Sequence, residues 1–168
     1  MKKIAKFEKV SFEQFRNACG DEFGTENEIK AIYDGIKLPK RATTGSAGYD
    51  FYAVWDICLN PGETAKIPTG IRARIDEGWV LKLYPRSGLG FKFRLQLNNT
   101  VGIIDSDYYY SDNEGHIFIK ITNDSNEGKT VKIAQGEGFA QGIFVEYGIT
   151  EDDEVSEIRN GGFGSTTK

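Results

Sequence analysis

From residue 57 to residue 84 the chain repeats one unit, a short run rich in β-branched residues followed by a tight turn. Apolar runs at 57–59, 64–67, 71–75 and 79–84 are separated by Asn60-Pro61-Gly62, Pro68-Thr69-Gly70 and Asp76-Glu77-Gly78. Runs this short and evenly spaced, with no helical periodicity, predict an all-β domain, a sandwich or barrel of the jelly-roll sort. The 20 glycines against 4 prolines suit such a turn-rich chain.

The stretch 95–108 carries the pattern furthest. Leu95 and Leu97 alternate with Gln96, Asn98-Asn99 supplies two residues that tolerate left-handed backbone, and Val101, Ile103 and Ile104 resume an apolar run. This predicts a hairpin that delivers Asp105, Asp107 and Tyr108 where the chain leaves the sheet. Apolar walls with polar tips are what a buried pocket needs. An ordinary hairpin with an acidic turn has the same pattern, so the neighbouring motifs decide.

With 168 residues the chain suits one full hydrophobic core with appendages, and its formal net charge of −4 argues against backbone-driven nucleic-acid binding. An anionic ligand would need a metal ion and a few placed arginines. Cys19 and Cys58 match no metal-ligand spacing and come without a secretory leader, which points to reduced thiols in a cytoplasm. No apolar run approaches the length of a bilayer span, so no membrane association is expected.

Three regions are expected: an N-terminal extension over 1–36, a core over 37–150, and a linker with a flexible arm over 151–168. In the extension Ser11 can cap a helix over 12–19, with Gln14 closing the box. The acidic stretch 21–28 reads as a solvated loop, and 29–33 as a second short element.

Within the core, Asp50 stands near the start of a strand that follows a glycine-rich approach. A carboxylate there calls for a cationic partner or a metal-bound water. Pro85-Arg86-Ser87-Gly88-Leu89-Gly90 puts a guanidinium, a hydroxyl and glycine amides in one turn, a candidate phosphate cradle next to Asp105 in sequence. It lacks the Lys-Ser/Thr ending of a Walker loop. Three consecutive tyrosines, Tyr108 to Tyr110, exceed what one face buries, so part of that surface is expected to await a partner. His116 is the only histidine, which disfavours a His-based triad or a multi-histidine metal site. Gln141 rides on a glycine-led apolar strand. The final Arg159-Asn160-Gly161-Gly162-Phe163-Gly164-Ser165-Thr166 is too glycine-rich to hold one conformation unaided and suits an arm that closes over a ligand.

Taken together these stretches resemble the trimeric dUTPase family. Its five ordered motifs match Ala47-Gly48-Tyr49-Asp50, Pro85-Arg86-Ser87-Gly88, Asn99 through Gly102-Ile103-Ile104-Asp105-Ser106-Asp107-Tyr108, Gly136-Glu137 through Ala140-Gln141, and Gly161 through Thr166. The match covers about 37–166, and the extra N-terminal residues and tyrosine-rich insertion look most like dUTPases of staphylococcal phages. The resemblance implies a jelly-roll-like β-barrel with a short N-terminal α-helical extension, assembled as a homotrimer whose active sites are shared between subunits. It implies hydrolysis of dUTP to dUMP and pyrophosphate in a bacterial host's cytoplasm, with Mg2+ held by triphosphate oxygens.

By the same resemblance Asp105 activates the attacking water, and Asn99 with main-chain groups at Gly102 and Ile104 pairs with uracil. Tyr108 packs under the deoxyribose and excludes a 2′-hydroxyl. Arg86, Ser87, Gly88 and Gln141 hold the inner phosphates. Phe163 covers the base, and Arg159, Gly164, Ser165 and Thr166 close over the distal phosphates. Asp50 acts on the metal's water shell or on a nearby arginine. The chain departs from the family at Gly138-Phe139, where arginine is common, at Arg159, one residue closer to the glycines than usual, and in the insertion 109–113. Two further readings fit the resemblance: a dCTP deaminase-like enzyme of the same fold, and a regulatory binding protein. Some staphylococcal phage dUTPases relieve a pathogenicity-island repressor, which makes the insertion a candidate contact.

Overall fold

The structure, a computed structural model, describes residues 1–20, 23–157 and 159. The chain opens with β1 (Ala5–Lys9), α1 (Phe12–Cys19) and α2 (Glu26–Gly35). Strands β2 (Lys40–Arg41), β3 (Tyr49–Tyr52), β4 (Ile57–Leu59), β5 (Thr64–Pro68), β6 (Ile71–Ile75) and β7 (Trp79–Pro85) follow. Then come α3 (Ser87–Phe93), β8 (Leu95–Leu97), β9 (Gly102–Ile104), a 3₁₀ turn (Ser106–Tyr110), β10 (Phe118–Asn123), β11 (Val131–Ile133) and β12 (Gly138–Glu146). The expected strands between 57 and 84 are present, because each turn triplet ends the run before it.

All pairings are antiparallel. The largest sheet runs β2-β3-β12-β7-β9, a second runs β5-β10-β8, and β1 pairs with β6 and β4 with β11. Inward positions fill the core: Phe51, Leu81, Leu83 and Phe139 from the large sheet meet Ile67, Leu95, Ile119, Ile121 and Ile133 from the others. On β6 the period of two is clean, with Ile71, Ala73 and Ile75 buried while Arg72 and Arg74 face outward. Among the described residues no helix is long and apolar enough to cross a membrane.

The arms of the expected hairpin do not pair with each other: β8 joins β10, with Leu97 opposite Ile121, and β9 joins β7, with Gly102 opposite Leu83. Alternation marks both arms as strands but cannot name their partners. The segment after Arg86 is a helix rather than an open turn. Gly88 and Gly90, each costing about 1 kcal/mol relative to alanine, hide the signal, while Leu89 and Phe93 stand one turn apart and pack on the core. The acidic stretch is not all loop either, since α2 begins at Glu26. Thr25 and Glu28 form a reciprocal capping box, with Thr25 N–H donating to Glu28 Oε2 at 2.7 Å.

Residues 1–36 share the core of the remainder. Ser11 caps α1 by accepting from Gln14 N–H at 3.1 Å, but Gln14 does not close the box; its side chain turns to His116. Phe15 is fully buried between Tyr33 and His116, and the Tyr33 hydroxyl donates to Val10 O at 2.7 Å. Gly70, at φ 70°, lets the β5–β6 turn pass under these helices; a Cβ there would lie 2.4 Å from Ile36 Cδ1. Phe15→Ala is therefore expected to cost about 3–5 kcal/mol of global stability in urea unfolding, as for a central core phenylalanine. A loss below about 1 kcal/mol would mean that the helices merely rest on the domain.

Candidate active site

Where β8 and β9 part to join different sheets they leave a cavity of about 480 Å³. Leu97, Asn98 and Asn99 form one side, Gly102 and Ile104 the other, and Asp105 and Tyr108 stand at the end of β9. The turn is closed by Thr100 N–H to Leu97 O at 2.9 Å and Val101 N–H to Asn99 O at 2.7 Å. Its left-handed residue is Thr100, φ 66°, rather than either asparagine. A β-branched residue there holds about 1–2 kcal/mol of strain. Gly102 lets β9 lie close on β7, since a Cβ would sit 3.0 Å from Leu83 Cβ.

Asp105 precedes the 3₁₀ turn in extended backbone, which aims its carboxylate into the cavity mouth. Arg159 meets it there, with Nη2 donating to Asp105 Oδ2 at 2.6 Å and Nε to Asp107 Oδ1 at 2.8 Å. Tyr108 is buried; its hydroxyl donates to His116 O at 2.7 Å and accepts from Asn113 Nδ2 at 2.8 Å. Burial raises its pKa against the opposing pull of Asn113 and Arg159, so the phenol stays neutral.

A second concavity lies on the other end of the large sheet, lined by Arg86, Ser87 and Gln141 with Tyr84, Phe91 and Ile143. Asp50 Oδ1 is 3.3 Å from Arg86 Nε, so of the two roles expected for Asp50 the geometry displays the arginine contact. Gln141 Nε2 donates to Pro85 O at 3.4 Å, and Gly48 leaves room for it: a Cβ there would come within 2.7 Å of Gln141 Oε1. Gly138 has a parallel reason. Arg86 Nη1 donates to Gly138 O at 3.4 Å and lies 3.0 Å from where a Cβ would be, so one arginine fills the space beside this position. Gly88 follows on the first turn of α3.

The candidate phosphate cradle, next to Asp105 in sequence, is far from it in space. Asp105 follows Ile104, which pairs with Leu81, whereas Arg86 follows Pro85 at the opposite end of β7. The run of extended strand from Val80 to Arg86 spans about 20 Å. One chain thus brings together Asn99, Gly102, Ile104, Asp105, Tyr108 and Arg159, and separately Asp50, Arg86, Ser87, Gly88 and Gln141. Phe163, Gly164, Ser165 and Thr166 lie outside the described residues.

The dUTPase family model matches residues 34–167. The chain belongs to the dUTPase family. A Lactococcus lactis relative named deoxyuridine 5′-triphosphate nucleotidohydrolase is 46% identical over 146 residues, covering 85% of this chain and 96% of the relative. The crystal structure of dUTPase from Streptococcus mutans superposes with a TM-score of 0.63 at 34% identity, covering 86% of this chain and 98% of that one. A mutant dUTPase from phage phi11 of S. aureus, in which a structural Mg(II) ion is coordinated, has the same fold, with a TM-score of 0.62 at 24% identity and coverage of 92% and 98%.

In this family member the cavity also draws on Lys66, Phe118 and Lys120, which the sequence does not flag. They come from β5 and β10, where Lys66 and Lys120 are register partners, and no local pattern reports a pairing between segments so far apart.

His116 is a further buried polar group beside the site. Its Nε2 accepts from Gly70 N–H at 2.9 Å, so the proton of the neutral ring sits on Nδ1, and the Gln14 side-chain amide 3.3 Å away pairs with it by turning its carbonyl oxygen to the ring. Burial lowers its pKa to about 4. Unfolded, the ring would titrate near 6.5, so between about pH 6.5 and 4 the unfolded chain binds the extra proton and stability falls with pH. The loss approaches about 3 kcal/mol near pH 4. Urea midpoints of the wild type and His116→Gln, measured from pH 7 to 4.5, are expected to converge as pH falls. Parallel curves would mean that the ring is not buried neutral.

Proposed function

We propose that this chain is a dUTP diphosphatase whose sites are completed between copies of itself. The observation that carries this reading is the division along β7: a base-and-sugar pocket holding Asp105 at one end, a cationic cradle at the other, about 20 Å apart. An α-phosphate beside Asp105 cannot rest on the same chain's Arg86, so a neighbouring copy must bring its cradle to the pocket. A cyclic homotrimer does this three times over with one kind of contact. The 46% identity to the lactococcal deoxyuridine 5′-triphosphate nucleotidohydrolase supports the same reading.

Uracil enters the cavity between β8 and β9, pairing with Asn99 and main-chain groups at Gly102 and Ile104. The closed turn leaves no room for a 5-methyl group, and its donors and acceptors do not suit a 4-amino group. Tyr108 supports the deoxyribose at a distance that shuts out a 2′-hydroxyl. Asp105 then accepts a proton from a water that attacks the α-phosphorus; the bond to the α,β-bridging oxygen breaks and pyrophosphate leaves. Arg86, Ser87 and Gln141 of the neighbouring copy hold the phosphate oxygens, Asp50 fixing the Arg86 fork. Arg159, paired with Asp105 and Asp107 in the free chain, transfers to the incoming distal phosphates as the arm with Phe163, Gly164, Ser165 and Thr166 closes.

Among the described residues no cluster of three or more acidic, histidine or cysteine side chains could hold a metal, and Asp50 is committed to Arg86. The donor set fits Mg2+ that arrives on the triphosphate and keeps its waters, with Asp50 at most touching that water shell. When bound, the ion neutralises charge on the phosphate oxygens. Cys19 and Cys58 are free thiols, in keeping with a host bacterial cytoplasm.

The dCTP deaminase-like alternative differs in its product, ammonia. A second, regulatory role rests on the insertion: of its aromatic residues Tyr109 is pinned to the chain, while Tyr110 is exposed and free to meet a protein partner such as a repressor.

Pyrophosphate release is expected from dUTP in the presence of Mg2+ and not from dTTP, dCTP or UTP at equal concentration. Asp105→Asn should lower kcat by about a thousandfold with dUTP affinity nearly unchanged. Release from all four nucleotides, or full turnover by the variant, would overturn the assignment.

A further inference from the structure

The insertion after Tyr108 is longer than a turn needs and lies beside the cavity. Unrestrained, such a surface loop would be mobile and would pass its motion to the ring it follows. Here it is fastened at both ends to the N-terminal strand and helix. At the near end the Tyr109 hydroxyl donates to Glu8 Oε2 at 2.6 Å, while the Arg72 guanidinium lies 3.6 Å from the centre of the Tyr109 ring and donates to Tyr109 O at 2.9 Å. At the far end Glu114 accepts two bonds from one residue, Ser11 Oγ at 2.6 Å and Ser11 N at 2.8 Å. Between them Asn113 donates to the Tyr108 hydroxyl, which itself donates to His116 O.

Glu114 is an unexpected residue for its backbone. At φ 59° it occupies the left-handed region, where asparagine or glycine is the easier choice, and the following Gly115 admits no side chain because a Cβ would lie 2.7 Å from Tyr109 Cα. What a glutamate adds there is the carboxylate that receives the cap of α1. Burial raises the Glu114 pKa, yet the two Ser11 bonds and the nearby Arg72 charge outweigh it and the carboxyl is held below its usual value, so the bonds are charge-assisted at neutral pH.

We infer that Glu114 and Tyr109 are positioning residues for Tyr108, and that through Ser11 and Glu8 the N-terminal strand and helix set how tightly the site discriminates deoxyribose from ribose. The inference rests on the proposed dUTP diphosphatase reading, in which Tyr108 lies under the sugar. Neither residue touches the nucleotide. The loop they fasten carries Asn113 and the C-terminal end of the turn on which Tyr108 sits, so loosening it widens the space that a 2′-hydroxyl would need.

Glu114→Gly removes the carboxylate while easing the backbone, and Tyr109→Phe removes only the Glu8 bond while keeping the ring under Arg72. In each, the ratio of kcat/KM for dUTP over UTP is expected to fall about tenfold, through KM and not through kcat on dUTP. Glu114→Gln, whose oxygen can still accept from Ser11 N–H while its amide N–H donates to Ser11 Oγ in place of the second bond, should restore the ratio to within about twofold of wild type. A merely structural role would lower the melting temperature and reduce turnover of both nucleotides alike; an unchanged ratio in both variants would overturn the inference. Amide hydrogen exchange over 108–113, which needs no activity, is expected to accelerate in Glu114→Gly but not in Glu114→Gln. Unchanged exchange in both would also overturn it. A wild type that releases no pyrophosphate from dUTP would instead defeat the diphosphatase reading, leaving exchange to decide the coupling.

Discussion

Strand β7 is hydrogen-bonded on both sides, to β12 along Trp79–Pro85 and to β9 over Leu81–Leu83, and cannot shorten or bend without breaking one ladder. Everything chemical in the chain hangs from one of its ends. Because β9 is held to β7, with Gly102 pressed against Leu83, the turn 98–101 must open toward β8, which β10 holds in another sheet. The cavity follows from that parting of strands. At the other end β12 brings Gln141 beside Tyr84, and β3 brings Asp50 beside Gln141, which assembles the Arg86 cradle. A doubly paired strand of fixed length is thus a ruler that keeps the cavity at Asp105 and the concavity at Arg86 apart.

The second constraint is the burial of polar groups around His116. A neutral imidazole with Nε2 bonded to Gly70 N–H, a carbonyl taking the Tyr108 hydroxyl, and Phe15 and Phe118 against the ring join three regions of the chain: the helices, the β5–β6 turn and the site. Each partner left alone would be a buried, unsatisfied group costing about 1–3 kcal/mol, so the three regions stand or fall together. This is why residues 1–36, which carry no motif of the family, still bear on the geometry of a site made elsewhere.

Much of the fold was legible because local chemistry decided it. Turn triplets with glycine separate the four strands that begin between 57 and 79, and Ser11 announces the helix that follows it. The misses share a cause: the deciding contact was distant or the local signal was weak. Glycines at 88 and 90 hid a helix that Leu89 and Phe93 secure from the core. The acidic composition of 21–28 obscured the Thr25–Glu28 capping box. Alternation could not say that the arms around Asn98-Asn99 belong to different sheets, nor that strain in the turn falls on Thr100. For the site, Asn99, Asp105 and Tyr108 were readable through ordered motifs and do share one cavity. Lys66 and Lys120 were not, since only the β5–β10 register brings them there, and no single-chain pattern reports that Arg159 meets Asp105 or that Arg86 lies a strand's length away.

In the enzyme proposed here one catalytic site takes Asp105 from one copy and Arg86 from another. Subunit complementation tests it most directly: Asp105→Asn and Arg86→Ala, each inactive alone, are unfolded together, refolded and assayed for pyrophosphate release from dUTP. Mixed in equal amounts, they should recover about a quarter of wild-type activity, the share of contacts in which an intact Asp105 meets an intact Arg86 when copies mix at random. No recovery, in mixtures shown by mass to contain both variants in one assembly, would contradict it.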